Sequence, residues 1–397
     1  MDLYMDNKIL IREFNEERDM KVVEKMERNC EIGSRKGLSI VTNMMGDPLC
    51  RIRLYPIRVM LVAELVGDGE IVGVVRGCMK WVGTGSGSTH VKMGCILGLR
   101  VSPKHRRMGI GLKLVKSIEG WAIRNGAHYI HLATEKNNVA SINLFVLKCD
   151  YEILSSLAIL VQPIDSHAKS PSQDVRIEKL SIDQAIALYK DRLAGKEFFP
   201  ADIDTLLREK LSLGTWVSFF KDEEWGGNLH YKEKIEHFTR KTPSSWAMLS
   251  IWKAYEAYKL QIRGAHLFRC CYSTVSNVGA KVFPCFGLPS LGDIPNRPFG
   301  FVFLYGLHGE GEKQGELMKS LWWFACNLLR KVKDCKVIIT ELGMSDPLLG
   351  HIPQGTTSMS FIDDLWFLKR VNRSDENEDE WAKMQPLAHL FVDPREF

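Results

Sequence analysis

Apolar positions in the first 160 residues follow two rhythms. Stretches 8–14, 59–66 and 71–82 are apolar and β-branched, which predicts strands, and the Gly67-Asp68-Gly69-Glu70 break between the last two predicts a hairpin. Between them, Met20, Val23, Met26 and Cys30 fall on one face of a helix over 19–30. After a polar, flexible loop at 83–90, a strand over 95–101 leads into a helix striped by Leu114, Val115, Ile118, Trp121 and Ala122. Asn125-Gly126 stops that helix. A strand over 128–134, a helix over 138–148 and a strand over 151–161 complete the order β-α-β-β-β-α-β-α-β, a single mixed α/β domain.

A polar, proline-bearing stretch follows, placing a first domain at 1–165 and a linker at 166–173. The remainder is rich in Trp, Phe and Leu and builds a second α/β domain over 174–372, then an acidic run at 374–380 within a tail at 373–397. Its predicted strands (175–178, 214–221, 246–252 pairing with 258–263, 299–305, 336–341, 365–370) and helices (183–192, 202–210, 314–331) repeat the order of the first half. A degenerate second copy of the same fold is expected, with His308-Gly309-Glu310-Gly311-Glu312 where the first half carries its glycine loop; an unrelated α+β domain is the alternative. The carboxylates there would repel an anion. Trp322 and Trp323 are adjacent on one helix and cannot both face inward, so a surface for another domain or a homo-oligomer is a candidate.

Composition removes several classes. A net charge of +5 spread over 397 residues, with basic and acidic residues interspersed, does not indicate nucleic-acid binding. Ten cysteines show no CxxC pair, so neither a disulfide framework nor a structural metal site is expected. No run approaches the roughly 20 apolar residues of a membrane span, and residues 1–14 lack the apolar core of a signal peptide. Cytoplasm or nucleus is the expected location.

The chemistry concentrates in 99–112. Arg106, Gly109 and Gly111 form R-x-x-G-x-G directly after a strand and at the opening of a helix. Glycines let a ligand approach the backbone, and the unpaired amides and positive dipole end of the helix suit a pyrophosphate. Neither G-x-x-x-x-G-K-[ST] nor G-x-G-x-x-G follows a strand.

At these residues the chain resembles the GNAT acetyltransferases, and within them the plant hookless-type probable N-acetyltransferases, a family linked to ethylene- and auxin-dependent differential growth. The second likeness runs through the strings at 46–53, 97–103, 197–200, 210–215 and 391–397. The resemblance implies acetyl-CoA as cosubstrate, no metal, and transfer of acetyl to a primary amine on a protein or small molecule. It also implies that Leu99, Arg100 and Val101 flank the pantetheine arm and acyl carbonyl, and that Arg106, Arg107, Met108, Gly109, Ile110 and Gly111 hold the pyrophosphate. Asn138, Ser141 and Phe145 match the N-x-x-A-x-x-x-Y pattern on the next helix, where the family tyrosine protonates the leaving thiolate.

Phe145 has no proton to give, so Tyr151, the nearest phenol, becomes the candidate acid and Glu135, just after a strand, the candidate base. Glu64 is a second candidate carboxylate on the hairpin. Cys95 and His131 read as buried packing residues, and His128 faces away from His131 on the same strand. An acetyl-CoA-binding regulatory protein that catalyses little is the alternative.

Overall fold

The computed structural model describes residues 9–30, 32–35, 38–85, 89–164, 169–225, 235–263, 297–353, 362–372 and 389–397. Cys270, Cys271, Cys285, the acidic run at 374–380 and part of the loop at 83–90 lie outside them.

The first half runs β1 (Ile9–Glu13), α1 (Glu16–Arg28), β2 (Ile32–Arg35), β3 (Leu38–Asn43), β4 (Arg58–Leu65), β5 (Ile71–Thr84), β6 (His90–Val101), α2 (Ile110–Arg124), β7 (Tyr129–Glu135), α3 (Val139–Ile142) and β8 (Glu152–Pro163). The second runs β9 (Val175–Lys179), α4 (Ile182–Arg192), β10 (Glu197–Pro200), α5 (Ile203–Arg208), β11 (Ser212–Phe220), α6 (Ile235–Arg240), β12 (Trp246–Trp252), β13 (Lys259–Arg263), β14 (Gly300–Glu310), α7 (Gln314–Leu329), β15 (Cys335–Gly343) and β16 (Ile362–Arg370).

One sheet holds thirteen of these strands, in the order β1-β4-β5-β6-β7-β16-β8-β15-β14-β12-β11-β9, with β10 added on β5. Read inward from each edge, the halves match: β1-β4-β5-β6-β7 against β9-β11-β12-β14-β15. Each contains one parallel pair, β6/β7 and β14/β15. A parallel pair needs a crossover, and α2 and α7 supply it. The closing strands are exchanged. β8 pairs with β15 of the second half, β16 pairs with β7 of the first, and the two pair with each other at the centre.

The exchange joins the stretches 1–165 and 174–372 through one sheet, because each half's sheet is completed by the other's last strand. The expected pairing of 246–252 with 258–263 is corrected: β13 leaves the large sheet and pairs with β3. The segment 389–397 is no tail. Leu390 bridges to Glu197, and Leu390, Phe391 and Val392 are buried in the main core.

Helix α2 buries Ile110, Leu114, Val115, Ile118 and Ala122 against Val72, Val75, Met79 and Ile96 of the sheet. At roughly 1.5–3 kcal/mol for each large side chain, that stripe fixes the helix and so fixes the loop leading into it.

Candidate active site

Strands β6 and β7 pair only at Met93↔Tyr129, Gly94↔Ile130 and Cys95↔His131, and then part. The local cause is a bulge. Gly98 has φ +59°, and the β5–β6 register shifts between Val74 and Arg76. A Cβ at Gly98 would stand 2.8 Å from the Arg76 guanidinium. That guanidinium is itself held by Glu27 at 2.7 and 2.8 Å and by the Pro48 carbonyl at 2.6 Å. A bulge bends its strand, so β6 turns out of the ladder and a cleft opens.

The cleft is part of a cavity of about 1150 Å³. Leu97 to Val101 form one wall, Leu132 to Glu135 the other, and His105 to Arg107 with Gly109 to Leu112 form the mouth. At the mouth, Gly109 has φ +76° and nothing within 4 Å of where a Cβ would stand. No side chain caps α2, and no acidic residue occupies its first turn. An uncapped helix start in an open loop is a place for an anion. The corresponding loop of the second half is closed. A Cβ at Gly311 would stand 2.2 Å from the Ser244 carbonyl, Lys313 N–H donates to Ser245 Oγ at 3.3 Å, and Glu316 occupies the first turn of α7.

The cavity is lined by Leu99, Arg100, Val101, Arg106, Arg107, Gly109, Ile110, Gly111, Glu135, Asn138 and Ser141. Asn138 Oδ1 accepts from Ser141 N–H at 3.2 Å, which starts the short helix α3. Three expected residues are placed elsewhere. Met108 lies in the loop with its side chain exposed, outside the lining. Phe145 and Tyr151 face the core, with ring centroids 5.4 Å apart. The reason is helical pitch: 143–148 winds as a π-helix, and Leu144, Leu147 and Lys148 meet the cavity in place of Phe145. Tyr151 is 2% exposed beneath the Lys369 ammonium, so it is not an acid for this site. Glu64 is bound by Arg12 at 2.7 Å and Arg18 at 2.6 Å and lies outside the cavity lining.

Other residues at the cavity have no sequence motif to mark them. Ile159 and Val161 of β8, from the first half, and Val337 and Ile339 of β15, Leu260 and Phe299, from the second, make an apolar wall. Beside it stand Glu341, Asp364, Trp366 and Glu396. Burial and the nearby Asp364 push the Glu341 carboxyl well above the carboxylate range, and its Oε1 accepts from Trp366 Nε1 at 3.0 Å.

Segment 389–397 is keyed in by charge. Arg395 spans Asp202 at 2.7 and 2.9 Å and Asp393, and lies 4.7 Å over the Tyr55 ring. Burial opposes the Asp393 charge, but Arg395 and Lys80 bring its pKa down to about 2. Glu396 is ion-paired with Lys80 and accepts from Cys95 Sγ at 3.3 Å and from Tyr55 O–H at 3.5 Å. Burial likewise opposes the Lys80 ammonium, and Glu396 and Asp393 hold it charged. The Cys95 thiol, shared with Cys78 and buried, is pushed well above its ordinary value, so it is no nucleophile. The only sequence signal for this segment was the string at 391–397.

The acetyltransferase (GNAT) family model matches residues 45–151. "Probable N-acetyltransferase HLS1" of Arabidopsis thaliana is 40% identical over 98% of this chain and 100% of its own length. "Acetyl transferase GW6a" of Oryza sativa subsp. japonica is 32% identical, covering 98% of this chain and 97% of that protein. Among solved structures, Saccharomyces cerevisiae N-myristoyltransferase with bound myristoyl-CoA matches with a TM-score of 0.54 at 10% identity, over 92% of this chain and 79% of that one. That last likeness is of fold alone.

Proposed function

This chain belongs to the GNAT acetyltransferase family, and from that premise we propose that it binds acetyl-CoA where β6 and β7 part and passes the acetyl group to a primary amine entering along the second half's wall. The supporting observation is the contrast between the two glycine loops: one is open and uncapped, the other filled by Ser244 and Ser245. Of these two loops among the described residues, only the first is open to a coenzyme.

When bound, acetyl-CoA supplies a thioester whose carbonyl is the electrophile. The loop amides and Arg106 fit the pyrophosphate, and the unpaired edges of β6 and β7 fit the amide-bearing arm. Holding amine and thioester in register is itself a large part of the rate. A thiolate with a pKa near about 8.5 leaves without a dedicated acid, so the position of Phe145 does not forbid transfer.

The second reading, an acetyl-CoA-binding regulatory protein, draws on one observation: among the described residues no tyrosine lines the cavity. A role in hormone-dependent differential growth, in nucleus or cytoplasm, is included in the proposal on the strength of the hookless-type strings.

The test is transfer of isotope-labelled acetyl from acetyl-CoA to a panel containing 2-phenylethylamine, a lysine peptide and a peptide with a free N-terminus, read by mass spectrometry. Labelled amide product supports the enzyme. Coenzyme binding by calorimetry with no product on any amine favours the regulatory reading.

A further inference from the structure

The geometry assigns the proton-accepting role in amine acylation to Glu396, with His131 as the residue that positions the amine, at the point where β6 and β7 separate. The inference rests on the transferase reading above.

His131 sits at the last paired position of β7, opposite Cys95. Its Nδ1 lies 3.1 Å from the Phe367 carbonyl. A carbonyl only accepts, so Nδ1 carries the proton and Nε2 presents a lone pair. Burial lowers the imidazole pKa to about 4, which keeps the ring neutral at physiological pH. The rings of Phe198 and Trp366, with centroids 5.0 and 4.5 Å away, fix its plane. Its Nε2 stands 4.0 Å from Glu396 Oε2.

Two acceptors therefore face one another at a separation too long for a direct hydrogen bond, and both line the cavity. A donor between them satisfies both. A nitrogen about 2.9 Å from each would see them at an angle of about 90°, within about 20° of the angle between two N–H bonds of an amine, so both bonds stay within hydrogen-bond geometry. The other Glu396 oxygen is already occupied by Lys80, Cys95 and Tyr55, which leaves Oε2 as the one turned toward this gap. Glu341 also faces Glu396 from β15; burial beside Asp364 raises its pKa, and its Oε1 is taken by Trp366 Nε1 at 3.0 Å.

The step balances as follows. The amine lone pair forms the C–N bond, the C–S bond breaks with its electron pair on sulfur, and the nitrogen's proton goes to Glu396 Oε2. The nitrogen becomes far more acidic once bonded to the acyl carbon, so an ordinary carboxylate can take that proton. His131 Nε2 holds the second N–H and aims the lone pair.

The experiment compares Glu396→Gln with wild type on 2-phenylethylamine and the lysine peptide. Acetyl-CoA affinity, kcat and the pH profile of kcat/KM are measured on each. The expected result is a fall in kcat of about 100-fold or more, acetyl-CoA affinity within about threefold, and a rate that keeps climbing with pH toward the amine's own pKa. His131→Phe is expected to raise the amine KM more than it lowers kcat. Because Glu396→Gln leaves the buried Lys80 with only Asp393 at 3.7 Å, Lys80→Met with Glu396→Gln is made beside it, a pair that leaves neither partner charged. A kcat within threefold of wild type in either Glu396 variant overturns the assignment. Absence of wild-type transfer to every amine overturns the transferase reading, and the assignment with it.

Discussion

Gly109 offers the sharpest perturbation of the coenzyme loop. Its φ of +76° is left-handed, and nothing lies within 4 Å of an added Cβ. Gly109→Ala therefore meets backbone strain but no clash, at roughly 1–2 kcal/mol of stability, and leaves the loop open to a ligand. Gly109→Glu adds the same strain and a negative charge at the mouth. Two unit charges about 6 Å apart repel by roughly 0.7 kcal/mol in bulk water and about 3 kcal/mol at an effective dielectric of about 20. A pyrophosphate brings about two such charges, so roughly 1.5–5.5 kcal/mol of affinity is lost, a Kd about ten- to ten-thousandfold weaker. Gly311→Ala is the matched control in the second half. There the Cβ would collide with the Ser244 carbonyl, so stability falls and coenzyme affinity does not. Calorimetric titration with acetyl-CoA, with urea unfolding of each variant, separates the two effects. Wild-type affinity in Gly109→Glu, or lost affinity at unchanged stability in Gly311→Ala, refutes the placement of the coenzyme.

Three further outcomes follow from the packing. Arg395→Met leaves Asp393 buried with only Lys80 at 3.7 Å, and is expected to cost roughly 3–5 kcal/mol in urea unfolding; a loss below about 1 kcal/mol would show that segment 389–397 is not held by this knot. His131, neutral in the fold down to about pH 4, takes a proton in the unfolded chain near 6.5, so the unfolded state binds more protons between those values and stability falls as pH drops from about 6.5 to about 4. His131→Phe should flatten that limb of the stability–pH curve, and an unchanged slope would place the effect elsewhere. Tyr151→Phe removes a hydroxyl turned into the core and not toward the cavity; turnover within twofold of wild type is expected, and a hundredfold loss would return the phenol to the mechanism.

Much of the fold was legible because local pattern and tertiary role coincide. The stripe from Leu114 to Ala122 is the face of α2 that packs on the sheet, and Arg106 to Gly111 is the cavity mouth. The repeat of element order was legible too, and the carboxylates after His308 pointed to a loop that repels an anion, though its filling by Ser244 and Ser245 left no sign in the sequence. What was not legible depends on distance in sequence. Nothing near β8 or β16 announces that the two exchange places, because a buried strand reads the same beside either neighbour. The N-x-x-A-x-x-x-Y spacing assumed an α-helical pitch, and the π-helical turn at 143–148 rotated Phe145 off the cavity. Glu396 was hidden for a similar reason. It meets Lys80, Cys95 and His131 across some 265 to 316 residues, and one carboxylate in a short polar string gives no local sign of such partners.

The most direct test of the whole account is amine-dependent release of the coenzyme thiol by the wild-type chain, followed beside Gly109→Glu at equal protein concentration. The account predicts thiol release that saturates with amine, one labelled acetyl appearing on the amine for each thiol freed, and collapse of both in the variant. Thiol release that is independent of amine, or product formed equally well by Gly109→Glu, would contradict it.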